Sequence, residues 1–473
     1  MLTRFGAAAA IFALAGCASR PTVQGTLDAA QQAMGNPNSI RYTGTGMNGF
    51  YGQALTAGKE WPRREMTKYV RTLNYEQRSA SDEMSFAQPV FGGQQQATFV
   101  NGDKAWSVTP AGANPQNAQA ELRQLQIWLS PHGFLRAARA AKDATIATDA
   151  SGSSTITFSD GKHKIAGTIA NKLVTKVSTL VGDPVTGDTE LTASYGGYKV
   201  FGNAQAPTKI TQTQGGFPTW EVAVSDVDVN PSVNLAVPEN VANAPLPAVN
   251  VVSTRLAPGV WYFTGGSHHS LAVEFPEYVA VIEAPQNEAR SLAVIAEVHK
   301  VIPAKPINYV ISTHHHFDHS GGLRTYVAEG ATVVTHASNK AYFEKTFAAP
   351  SLIEPDEQSS ALKKAKIEPV GEKWVLKGGL QTLEVYSTKG DTHSDELLVV
   401  YLPVSGILVE ADSYSPPPLP APGAPPATPA PPAPNAVTLW DNIQRLKLNV
   451  RTIAPIHGRG TVPMAEFAMS IGK

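Results

Sequence analysis

The strongest constraint on this chain lies between Ile307 and Gly322, read as INYVISTHHHFDHSGG. The apolar, β-branched run from Ile307 to Ser312 predicts a buried strand, and that strand delivers His314, His316, Asp318 and His319 onto the following loop. Alternate side chains of an extended segment share a face, so His314 and His316 point the same way. Asp318 and His319 turn toward a neighbouring position as the chain bends at Gly321-Gly322. A solvated polar loop accounts poorly for four imidazoles and a carboxylate behind one strand in a chain with only 12 histidines. The arrangement suits two adjacent cations.

The pattern H-x-H-x-D-H resembles the signature of the metallo-β-lactamase superfamily, and the resemblance extends over roughly the C-terminal half. Further donors arrive in the matching order, each behind an apolar run: His393 after Leu383 to Ser387, Asp412 after Gly406 to Glu410, and His457 after Val450 to Ile456. The resemblance implies His314, His316 and His393 at one divalent ion and Asp318, His319 and His457 at a second. Asp412 then bridges the two, and Asp318 acts as the catalytic residue that orients a metal-bridging hydroxide. Zinc is the first choice for such nitrogen-rich ligation. His336 is expected to be a buried, hydrogen-bonded core residue, and His268 and His269 to lie on the surface. Asp391 and Asp395 are candidates to support the His393 ring, and Tyr414 to contact substrate.

Composition bounds the rest. A chain of 473 residues, 42% hydrophobic, has room for two or three cores, and a net charge of -1 gives no electrostatic case for nucleic acid. Cys17 is the sole cysteine, so an intrachain disulfide is excluded and any metal site relies on nitrogen and oxygen. Residues 1–17, MLTRFGAAAAIFALAGC, read as an export signal with a basic start and an apolar run too short to span a bilayer as a mature helix. Leu14-Ala15-Gly16-Cys17 resembles the bacterial lipobox, which implies lipidation at Cys17 and a periplasmic or cell-surface protein anchored to a bacterial membrane. Ordinary cleavage using Ala13 and Ala15 is the alternative.

The expected fold class is α+β, with an αβ/βα sandwich over residues 251–473 preceded by an antiparallel curved-sheet domain with covering helices over residues 21–245. In the first domain, turn signals at Asn101-Gly102, Asp160-Gly161, Gly182-Asp183 and Gly196-Gly197 separate alternating runs. Helical spacing occurs at Thr26 to Met34 and from Ala118 to Ala141, split near Pro131-His132-Gly133. Tyr195 to Asn230 resembles the late strands of periplasmic lipoprotein-carrier folds. That texture leaves two readings open, a packing and spacer domain or a grip on an apolar ligand. Asn230 to Val249 reads as a linker. In the second domain Glu288 to Val301, Leu439 to Leu448 and Pro463 to Met469 read as helices, and a Pro/Ala insertion occupies 416–434.

These features lead to the expectation of an exported dinuclear metal-dependent hydrolase for a small ester, lactone, thioester or amide, with an anionic group on the substrate favoured. Penicillinases of one subclass place cysteine at the second metal, whereas Asp412 resembles the bridging aspartate of hydroxyacylglutathione hydrolases and lactonases, which argues against a dedicated β-lactamase. Two alternatives stand beside this one: hydrolysis of sulfate or phosphate esters, and a lipoprotein that binds an apolar ligand through its N-terminal domain.

Overall fold

Period-two alternation builds the first half of the protein. Along His163–Ala170 and Leu173–Asp183 buried side chains recur at every second position over most of the length, the pattern of a sheet with one face on a core. The computed structural model describes residues 20–90, 93–419 and 431–473. The export signal at 1–17, with Cys17, and the centre of the 416–434 insertion lie outside the described residues. No described helix is long and apolar enough to cross a membrane.

Thirteen antiparallel strands form one continuous sheet, and its last strand, Phe217–Val229, returns to pair with the first, Ser39–Gly49, near the middle. A Cβ at Gly44 or Gly46 would come within 2.3 and 1.9 Å of the carbonyls of Ala223 and Glu221, so only glycine permits this close, bulged pairing. Three helices, Val23–Met34, Ala120–Leu129 and Pro131–Ala140, cover the sheet. The first starts three residues before the expected Thr26 because the Thr22 hydroxyl accepts from Gly25 N–H and caps it. Ser130 caps the third in the same way, with Pro131 in its first turn.

The helix Ala120–Leu129 gives the sheet its curvature. Leu125 and Leu129 pack with Ile156, Ile165, Val177 and Leu191 from one end of the sheet, while Ala120 and Ile127 pack with Tyr42, Tyr69, Val100 and Val222 from the other. One sheet touches both sides of a single helix only by wrapping around it. The cavity left inside, lined by Tyr42, Tyr69, Arg71 and Trp220 among others, measures about 20 Å³. That volume holds about one water molecule and no acyl chain. The expected linker is pinned rather than free, since Val241 is fully buried and Asn117 donates to the carbonyls of Val241 and Ala244.

The second half is a four-layer sandwich. Its seven-stranded and six-stranded sheets bury Tyr262, Leu271, Ile282, Ile311 and Val334 against Val385, Leu398, Val400, Val409 and Ile456. The outer face of the first sheet packs on Glu288–Val301, Leu323–Glu329 and Lys340–Phe347, and that of the second on Pro434–Arg445 and Met464–Ser470. This is the expected αβ/βα order, with each apolar sheet face covered. Pro463 precedes the closing helix as its cap instead of opening it.

His132 makes the N-terminal core sensitive to acid. It is 2% exposed and donates from Nε2 to the Met34 carbonyl, 3.2 Å away, while Nδ1 has no partner. Burial, opposed by that hydrogen bond and reinforced by the Arg136 charge, lowers its pKa from 6.5 to about 4. The unfolded chain therefore takes up a proton near pH 6.5 that the folded chain refuses until about pH 4, and stability is lost as pH falls through that window. Urea unfolding at pH 7 and pH 5 is expected to show that acidification destabilises His132→Gln by about 2 kcal/mol less than the wild type.

Candidate metal centre

Each candidate ligand stands just beyond the end of a buried strand. Ile307–Ile311 leads to His314, His316, Asp318 and His319, and Gln381–Ser387 to His393. Ile407–Glu410 leads to Asp412, and Thr452–Pro455 to His457. The sandwich core fixes these strands, so their ends converge on one edge with little freedom.

Two groups of four donors result. His314, His316, His393 and Asp412 form one, and His268, Asp318, His319 and His457 the other, with one donor atom from each residue lying within 4.8 Å of the rest of its group. Asp412 joins them: its Oδ2 lies 2.8 Å from His319 Nε2, 3.0 Å from His393 Nε2 and 3.2 Å from His314 Nε2, and its Oδ1 lies 2.9 Å from His457 Nε2. Asp412 adopts φ +62°, a left-handed conformation that aspartate tolerates better than most residues and that turns its carboxylate into the cluster. All seven residues expected from the sequence thus meet here.

The donor set fits divalent cations. His314 Nε2, His316 Nδ1 and His393 Nε2 are buried and form no hydrogen bond of acceptable geometry, although two of them lie within 3.2 Å of a carboxylate oxygen. Buried nitrogens left so are costly unless a cation takes their lone pairs. The other nitrogens are committed outward: His314 Nδ1 lies 3.0 Å from Thr313 Oγ1, His319 Nδ1 lies 2.7 Å from Glu283 Oε2, and His316 Nε2 lies 2.9 Å from the Ala54 carbonyl. Such outward bonds set the tautomer and the ring angle of a metal-binding imidazole. His314, His316 and His393 with Asp412 would hold one ion, and Asp318, His319 and His457 with the same Asp412 a second.

Electrostatics favour the deprotonated donor set at most positions. Burial, reinforced by the His319 charge, lowers the His314 pKa to about 3, and burial with the neighbouring imidazoles lowers that of His316 further. Burial opposes ionisation of Asp318 and Asp412, but His268 and His319 hold the first carboxyl below its ordinary range, and His319, His314 and His393 hold the second well below. His319 alone is pushed up, because the charge of Asp412 and the bond to Glu283 overcome its burial. The centre is open on one side, where the Asp318 side chain is 39% exposed, while those of His314 and His319 are fully buried.

Several expectations need correction. His268 and His269 are buried rather than superficial, at 8% and 4% exposure. His268 Nε2 lies 3.2 Å from Asp318 Oδ2 and its ring stands 4.1 Å from that of His457, while His269 bonds the Gly458 carbonyl. Tyr414 is buried against Phe467 in the apolar layer behind the second sheet, away from a substrate rim. His336 is only half-buried and caps a short turn through Ser338. Asp391 accepts the His393 backbone N–H and the Ser413 hydroxyl, and Asp395 accepts from Thr56, so neither is bonded to the His393 ring. Glu283 had a faint signal, a lone acid ending the apolar strand Val279–Ile282.

Residues 264–457 match the family model of the metallo-beta-lactamase superfamily. Solved structures that resemble this protein include a metallo-beta-lactamase from Pontibacter korlensis, with 18% identity over 47% of this chain and 97% of that one at a TM-score of 0.34. FIM-1 from Pseudomonas aeruginosa in its mono-zinc form has 20% identity over 48% and 95%, at 0.35. A metallo-beta-lactamase from Hirschia baltica has 19% identity over 47% and 96%, at 0.34. No curated protein matches the chain. The family match covers residues 264–457, which bear all the candidate ligands, and the N-terminal sheet lies outside it.

Glu283 supports the second group from behind, accepting from His319 Nδ1 and, through its other oxygen, from Thr313 N–H at 2.7 Å. Glu283→Gln keeps the volume but removes the charge. Zinc titration against a chromophoric chelator is expected to show about 10–100-fold weaker binding of one ion, the cost typical of losing an outer partner of a ligating histidine.

Proposed function

We propose that this protein is a dinuclear metal-dependent hydrolase of a small ester, lactone, thioester or amide. The observation that carries this reading is the convergence of two four-residue donor groups on the shared carboxylate of Asp412. Divalent cations, with zinc the first choice, supply an acidified water and a Lewis acid for the scissile carbonyl when bound. The chain's own residues do the rest. Asp318, held ionised, accepts hydrogen bonds at both oxygens, from Gln53 at Oδ1 and from His268 at Oδ2. It would orient the attacking water. His393, His457 and Asp318, on the more exposed side of the cluster, border the approach of the substrate.

A cavity of about 600 Å³ between the domains adjoins the donor segment at His315 and Phe317, with none of the donor residues in its lining, and suits an apolar portion of a substrate. Its lining includes Tyr51, Trp61, Phe217, Tyr342 and Phe317, the last of these lying between His316 and Asp318 in the chain, and the charges of Lys59 and Lys345 are offset by Asp188 and Glu190. The cavity inside the N-terminal sheet does not support an acyl-binding role, being filled by side chains. Export, and lipid anchoring through Cys17, belong to this reading on the strength of the N-terminal sequence. Metabolic labelling with a palmitate analogue is expected to tag the wild type and not Cys17→Ser.

A matched panel of carboxyl esters, lactones, thioesters, a β-lactam, aryl sulfates and aryl phosphates, run on protein of measured metal content, tests the reaction. Turnover is expected on a carboxyl derivative, to depend on metal, and to fall by more than about 100-fold in His316→Ala and Asp318→Ala, since losing a ligand costs at least as much as losing its outer partner. Unchanged hydrolysis in both variants removes the proposal, and selective cleavage of sulfates or phosphates replaces the substrate class.

A further inference from the structure

The loop Phe50 to Pro62, between the first two strands of the N-terminal sheet, lies on the metal-binding segment of the other domain. His316 Nε2 donates to the Ala54 carbonyl at 2.9 Å, Gln53 Nε2 donates to Asp318 Oδ1 at 2.7 Å, and Phe317 N–H donates to the Gly52 carbonyl at 3.3 Å. One residue further on, Leu55 accepts from Asp395 N–H at 3.0 Å, and Ala57 N–H donates to Glu396 at 3.0 Å. The loop is itself held in place. Tyr51 donates to Asp183 and accepts from Gln214, and its ring packs edge-on against Trp61 and Phe317 at 4.7 and 5.2 Å. Gly52 has φ +73°, and a Cβ there would sit 2.5 Å from the Phe317 ring, so this approach requires glycine.

Two of these contacts reach donor groups directly, and the chemistry of each fixes its direction. A carbonyl only accepts, so the Ala54 contact places the His316 proton on Nε2 and leaves the lone pair on Nδ1, the buried nitrogen without a hydrogen bond inside the first donor group. A carboxylate only accepts, so the Gln53 amide must present its nitrogen, which ties down Asp318 Oδ1 and leaves Oδ2 facing His268 and His319. The imidazole tautomer on one side and the carboxylate rotamer on the other are thus both set by a different domain from the one that bears the ligands.

We propose that this loop is a working part of the metal centre, with Gln53 and the Ala54 carbonyl as positioning groups, so that the donor set is fully oriented only with the N-terminal domain docked. The inference rests on the reading of the two donor groups as cation sites. Gln53→Met keeps the length of the side chain without its donor, and Gln53→Ala removes it altogether. In the full-length chain, stripped of metal and titrated with Co²⁺ against a chelator, both variants are expected to bind one ion as the wild type does. The second ion should bind about 10–100-fold more weakly, with a changed visible spectrum and an unchanged metal-free melting temperature. Wild-type affinity for both ions and a wild-type spectrum in the two variants overturn the proposal. So does a lowered metal-free melting temperature with both affinities retained, because the contact then only glues the domains together. A wild type that binds no divalent cation overturns the cation reading itself.

Discussion

Everything in the C-terminal domain is organised to hold one carboxylate against four imidazoles. Asp412 is met by His314, His319, His393 and His457 at 2.8 to 3.2 Å, inside a protein edge from which most water is excluded. Without a cation such a cluster is a liability. Several lone pairs face one another in a low dielectric, and buried polar atoms without partners each cost on the order of 1–3 kcal/mol. The left-handed backbone at Asp412 and at Glu283 adds strain. A fold tolerates a concentration of unfavourable terms like this only where the surrounding core is over-determined, and the paired sheets meet that condition with an almost wholly apolar, fully buried interior.

The placement of those costs explains why the ligands stand beyond the ends of paired strands. Glu283, Asp412 and His457 follow strands whose neighbours are hydrogen-bonded on both sides, so none of the three can relax away from the cluster without disturbing the sheets. The outward bonds of the imidazoles then remove the remaining freedom. Thr313 holds His314, Glu283 holds His319 and Ala54 holds His316, and each leaves a single nitrogen for the centre.

How much of this was legible in the sequence follows from how local each feature is. The ligands could be read because each sits directly behind an apolar run and because His314, His316, Asp318 and His319 lie within six residues. The N-terminal strands could be read from alternation and turn residues, and the helix pair from the break at Pro131. What stayed hidden depends on packing between distant segments. Nothing near Gln53 or Ala54 signals that a residue more than 260 positions away will accept or donate there. His268 and His269 looked superficial because the pair follows Gly265-Gly266, yet the first strands of the sandwich fold them under the His457 loop. Tyr414 was expected at the rim for its nearness to Asp412. The chain instead leaves that left-handed residue inward, and the tyrosine ring meets Phe467.

The middle histidine of the HHH run shows how one short segment serves both halves of the molecule. Alternation that sends His314 and His316 into the donor cluster must send His315 the other way. There its Nδ1 lies 2.5 Å from Glu396, which also accepts from Ala57 of the N-terminal loop, and both members of the pair are 1% exposed. A buried pair of this kind is strongly disfavoured when one partner is removed, because the other is left without compensation. The domain contact is therefore built into the same extended residues that present the metal donors, and separating the domains would expose His315 and Glu396 while releasing His316 and Asp318 from their outer partners. Docking and the geometry of the centre are two faces of one segment, which is the physical reason a sheet with no ligands of its own still bears on the chemistry.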